Sequence, residues 1–165
     1  MFRQAPDLFA TPTAWCRVRG FSLVELVLVV AITMILAAIA VPRYGSAAVR
    51  YRADLAARRV ADDLRLAQSH ARLTSASCTV TFTPATEQYV LVGTASLDGG
   101  SGDYTVDLRT DPYDAAITSA DFGGVPTVVF TGWGLPNSGG SVVVTSGSET
   151  RTVLVDDQTG QVSID

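Results

Sequence analysis

Residues 21–41 read FSLVELVLVVAITMILAAIAV, and within them Glu25 is the single charged residue. A helix needs roughly 20 apolar residues to cross the hydrocarbon core of a bilayer, so this run is long enough. Two ordinary explanations fit it poorly. A secretory signal peptide has an apolar region of about 7–15 residues followed by a small-residue cleavage site. This run is longer. A plain membrane anchor has no use for Glu25, because a carboxylate in a membrane segment costs about 2.5–3.5 kcal/mol on insertion scales. Basic residues flank both ends, Arg17 and Arg19 before the run and Arg43, Arg50 and Arg52 after it. The positive-inside rule therefore gives no orientation.

Outward from this run, the chain changes character. Pro42 removes a backbone donor and is expected to kink the helix. Beyond it, Leu55, Ala56, Val60, Leu64, Ala67 and Ala71 form one apolar stripe at helical spacing, so the helix is expected to continue through 42–75. Arg58 and Asp62 stand four apart and are expected to pair. From about residue 78 the composition turns to Gly, Ser, Thr, Asp and Val. Strands are expected at 78–82, 88–92, 104–108, 127–130, 141–145, 152–155 and 161–164, separated by Gly- and Pro-rich turns and paired antiparallel.

The 165 residues carry a net charge of −4, and all 12 basic residues are Arg. Without residues 1–20 the chain has 9 Arg against 15 acids, a net of −6. So acidic a domain has no general attraction for nucleic acid. Of the two cysteines, Cys16 precedes the apolar run and Cys78 opens an expected strand, where a buried inert thiol is the expectation. Nothing has metal-ligand spacing. His70, the single histidine, lacks ligand partners and reads as a surface or interface residue. Asp62-Asp63 and Asp156-Asp157 are adjacent, so their side chains diverge and make no acid pair; they read as solvated charges. Asp98, Asp103, Asp107 and Asp111 lie in a Gly-rich stretch without EF-hand spacing and read as a solvated loop. Trp133, between Gly132 and Gly134, reads equally well as a core lid or an exposed contact. No catalytic motif is present, no cofactor is implied, and the chain does not read as an enzyme.

Arg19-Gly20-Phe21-Ser22-Leu23-Val24-Glu25-Leu26 resembles the class III signal of type IV prepilins and type II secretion pseudopilins. The resemblance implies cleavage between Gly20 and Phe21 by a prepilin peptidase on the cytoplasmic face, followed by N-methylation of Phe21. It assigns Glu25 to the N-terminal amine of a neighbouring subunit during assembly. The physics is compatible, since a carboxylate and an amine are each costly alone in an apolar core and less so together. A narrower resemblance runs through 63–71 and 78–82, then Val129-Phe130, Gly134-Leu135-Pro136, 141–144, 151–155 and 159–162. This order is similar to the GspH/FimT group of minor pseudopilins; residues 93–126 match nothing in it.

The expected fold is α+β and pilin-like, a long N-terminal helix packed on antiparallel β-sheets. Its parts are a leader at 1–20, a transmembrane or filament-core segment at 21–41, an amphipathic continuation at 42–75 and a β-rich domain at 76–165. The implied function is a minor pseudopilin of a type II secretion system, held in the bacterial inner membrane with its globular domain periplasmic and then assembled into a pseudopilus. The implied partners are prepilin peptidase, other pseudopilins or pilins, and assembly-platform proteins. Two alternatives stand beside it: a minor type IV pilin of FimT kind, serving pilus assembly or DNA uptake, and a ligand-binding ectodomain on an anchor. Gln161 stands where DNA-binding relatives carry Arg, which argues against nucleic acid.

Overall fold

The computed structural model describes residues 20–95 and 102–165. The expectations that fall on 1–19 and on Asp98 lie outside the described residues. One helix, α1, spans Leu23–Thr74 and runs through Pro42 without a break. Eight strands follow: β1 Cys78–Thr83, β2 Gln88–Ala95, β3 Asp103–Asp107, β4 Ala116–Asp121, β5 Thr127–Phe130, β6 Gly140–Ser146, β7 Glu149–Val155 and β8 Val162–Ile164. The chain divides into two compact units, Met1–Val41 and Pro42–Asp165.

In the second unit the strands form two antiparallel sheets, ordered β3-β2-β1-β5 and β4-β6-β7-β8. Alternation explains how they pack. Cys78, Val80 and Phe82 of β1 point inward, as do Val128 and Phe130 of β5, Val142 and Val144 of β6, and Val153 and Val155 of β7. Their neighbours are partly or fully exposed, the mark of sheets buried on one face. Against that face α1 sets Ala53, Ala56, Ala57, Val60, Ala61, Leu64, Ala67 and Ala71, all essentially buried. The helix contributes small side chains and the sheets contribute large ones, among them Tyr89, Tyr104, Phe82, Phe122 and Phe130. Small against large is how two elements come close without leaving voids. Phe82 packs on Tyr89 and on Phe122, with ring centroids 5.4 and 5.8 Å apart.

Polar contacts fix α1 along its length. Arg50 pairs with Glu149 at 3.0 Å, Arg52 with Asp114 at 2.8 Å and Asp54 with Arg151 at 2.6 Å. Farther along, Arg65 donates to the Val162 carbonyl at 2.9 Å and Gln68 to the Gly134 carbonyl at 2.8 Å. The exposed ion pairs are each worth about 0–1 kcal/mol, so the apolar face, not the pairs, holds the helix.

β4 was not expected from the sequence. Only Ile117 and Thr118 of its residues, AITSAD, favour strands, and its register with β6 shifts between Ile117 and Ser119. Its start is held from the other sheet: the Ile117 N–H donates to a Glu87 carboxylate oxygen. Glu87 sits in the left-handed turn between β1 and β2, and its carbonyl accepts from the Leu108 N–H at 3.0 Å. One edge of the first sheet is closed by its own loop. The Val129 N–H donates to Asn137 Oδ1 at 2.8 Å, and the Asn137 N–H donates back to the Val129 carbonyl at 2.9 Å.

Candidate functional site

In the first unit, Gly20, Phe21 and Ser22 precede the helix and are exposed. Ser22 is the N-cap of α1. The Glu25 N–H donates to Ser22 Oγ at 3.1 Å, and the Leu26 N–H donates to the Ser22 carbonyl at 3.1 Å. Ser-x-x-Glu at a helix start is the capping-box pattern, a signal present in the sequence that the motif reading passed over. The cap leaves the Gly20–Phe21 peptide bond outside the helix. Glu25 lies in the first turn, where the helix dipole favours a negative charge. Around and beyond it Leu23, Val24, Leu26, Val27, Leu28, Ile32, Met34, Ile35, Leu36 and Ile39 are all exposed. Within α1 the most apolar 18-residue window has a mean hydropathy of 2.8 and none of it is buried, so it is long and apolar enough to cross a membrane.

The second unit does not gather the remaining candidates into one site. His70 is half-buried on α1, and Asp156 and Asp157 are exposed. Asp156 accepts from the Thr159 and Gln158 amides and the Thr159 hydroxyl, which hold its carboxyl below the usual range. Asp103 caps the Gly93 N–H at 3.1 Å. Asp107 meets Arg109 and Gln88, and the hydrogen bond from Arg109, ahead of that from Gln88, lowers its pKa to about 2. Among the described residues, no three His, Cys, Asp or Glu side chains converge as a metal site. Trp133 is 85% exposed, so it is no core lid. Cys78 is buried, its thiol near the Val92 carbonyl and the Thr94 hydroxyl.

Two sequence expectations are corrected. Asp63 is not solvated: it is buried, and its Oδ2 accepts from Tyr89 Oη at 2.5 Å and from Arg59 Nε at 3.0 Å. Arg59 reaches on to the Tyr104 hydroxyl and lies over that ring, 5.7 Å from its centroid. Burial raises the Asp63 pKa against the opposing pull of Tyr89 and Arg59, and burial also raises Tyr89. The second correction concerns ion pairing on α1. Asp62 pairs with Arg65, one turn further along, at 2.8 Å rather than with Arg58, one turn before it, both being neighbours on the same helix face.

The family follows from comparison of this fold and sequence with known proteins. The sequence model of Type II transport protein GspH matches residues 56–159, more than half of the chain. The chain belongs to the GspH family. That match covers most of the docked part of α1 and seven of the eight strands, leaving out β8. The prokaryotic N-terminal methylation motif matches residues 15–41 of this GspH-family chain, across Gly20, Phe21 and Glu25. No curated protein sequence gives a significant match. Two solved structures share the fold. The minor pseudopilin EpsH from the type 2 secretion system of Vibrio cholerae is 12% identical, with 69% of this chain and 96% of that chain covered at a TM-score of 0.51. The type IV minor pilin FimU of Pseudomonas aeruginosa is 13% identical, with 70% and 90% covered at a TM-score of 0.50. At such identities the likeness establishes the pilin-like fold. The GspH family and its fold neighbours are structural subunits rather than enzymes.

Proposed function

We propose that this chain is a minor pseudopilin subunit of a type II secretion system. It is cut between Gly20 and Phe21 by prepilin peptidase, N-methylated at Phe21, and assembled through α1 into a periplasmic pseudopilus. The observation that carries the reading is the methylation motif over 15–41 falling on an exposed, non-helical Gly20–Phe21 bond directly before a capped apolar helix. Glu25 then lies one turn from the new amine, at the start of a segment that would otherwise be wholly apolar. In this reading the subunit enters from the inner membrane with its N-terminus cytoplasmic, Pro42 marks a bend after the membrane segment, and assembly-platform proteins receive it. A second reading, a minor type IV pilin, has the FimU fold in its favour. The family description, a transport protein of the type II class, favours secretion.

The test is co-expression of the full chain with a prepilin peptidase, read by mass spectrometry of membranes. The expected product lacks 20 residues and begins with methylated Phe21, and Gly20→Ala remains uncut. Glu25→Val is expected to insert and be cut but to lose co-purification with other pilin-like subunits. An intact leader in native membranes overturns the reading. Complementation of secretion against piliation in null strains separates the two systems.

A further inference from the structure

We infer that the outward face of α1 in the second unit is a docking stripe for the acidic surface of a neighbouring pilin-like subunit; this rests on the assembly reading above. The stripe consists of Tyr44, Tyr51, Arg58, Arg65 and Arg72. These residues are spaced seven apart, two turns each, so they stack along one face with a slow drift of about 20° per step. Successive members stand about 10.5 Å apart by helical rise. All five are exposed, Tyr44 at 81% and Tyr51 at 65%, and they lie opposite the Ala-rich face that meets the sheets. Among the described residues Arg58 has no ion pair, Arg65 pairs with Asp62 and donates to the Val162 carbonyl at 2.9 Å, and Arg72 donates to the Trp133 carbonyl at 3.3 Å.

Charge identifies the occupant. Residues 43–74 hold seven Arg against three acids, a net of +4, whereas residues 75–165 hold two Arg against eleven acids, a net of −9. The subunit is thus basic along its helix and acidic over its sheets. A side-by-side neighbour with a similar acidic sheet surface meets the stripe with opposite charge, and repetition of such a contact gives an open filament rather than a closed pair. Two exposed tyrosines at one end supply rigid apolar area of the kind that anchors protein contacts. A polyanion such as nucleic acid is repelled by the −9 domain beside the stripe, and three arginines about 10.5 Å apart do not follow a phosphate backbone.

The experiment uses the full-length chain in cells carrying its assembly machinery, with photo-reactive benzoylphenylalanine at position 51. Irradiation is expected to give an adduct with another pilin-like subunit, mapped by mass spectrometry to a segment bearing carboxylates. Arg58→Glu is expected to cut the adduct yield about tenfold, since attraction becomes repulsion, and Arg58→Lys to keep it. Both variants should melt like the parent, because Arg58 is exposed. An adduct unchanged by Arg58→Glu, one mapped to nucleic acid or to a segment without carboxylates, or no adduct from a chain that is cut and incorporated, overturns the stripe. A chain that is never cut after Gly20 overturns the assembly reading itself.

Discussion

Tyr89→Phe removes one hydroxyl and tests how α1 is held on the first sheet. That hydroxyl donates to Asp63 Oδ2 at 2.5 Å, and the carboxylate is buried with Arg59 as its other partner. A hydrogen bond to a charged group is worth about 1.5–3 kcal/mol, so the loss should be about 2 kcal/mol. In a unit of this size that lowers the melting temperature by about 8 °C. Asp63→Leu alone should cost a similar amount, because the Tyr89 hydroxyl is then buried without a partner. Together the two changes replace a polar contact by an apolar one, and Arg59, 36% exposed, can turn to water. The double variant should therefore lose about 2 kcal/mol less than the sum of the single losses. Urea unfolding of a chain beginning at residue 43, expected to be soluble and monomeric without the apolar run, provides the measurement. Additivity within about 0.5 kcal/mol would show that the hydroxyl and the carboxylate do not act as a pair.

Gly140→Ala is expected to unfold the second sheet locally or cost more than about 3 kcal/mol, since a Cβ there would lie 2.0 Å from the Asp121 carbonyl oxygen, a backbone atom that cannot swing aside; a circular-dichroism melt within 2 °C of the parent would contradict this. Asp107 has a folded pKa lowered to about 2, so its contribution to stability is full above the ordinary carboxylate range and fades as pH falls from about 4 toward 2. Asp107→Asn should lower stability at pH 7–8, where the contribution is full, and flatten the profile below about pH 4, so that variant and parent converge toward pH 2; an equal loss at both pH values would mean that the group acts through packing instead.

Legibility in the sequence followed the range of the interactions. The long helix, the apolar run and seven strands were readable because periodicity and turn residues are local signals. β4 was not, because Ile117 and Thr118 are its only β-branched residues, among Ala, Ser and Asp, and its start is held by Glu87, a residue 30 positions away from Ile117. Asp63 looked solvated because adjacent aspartates on a helix usually are; its burial depends on Tyr89, 26 residues downstream, and no spacing rule announces that partner. Asp62 choosing Arg65 over Arg58 is a choice between two local geometries that charge spacing alone leaves open. The cap by Ser22 is a local signal, but the same residues also carry the processing motif, which masks their role in starting the helix.

The loop that folds Asn137 back onto Val129 has a consequence for the border of the first sheet. A bare strand edge invites any neighbouring chain to add a strand, and such zippering is indiscriminate and hard to reverse. Here the backbone of β5 at Val129 is already occupied, its N–H by the amide side chain and its carbonyl by the backbone of the same asparagine. A neighbouring chain finds no free backbone to pair with at that point of the border, and a contact made there goes through side chains that can let go again.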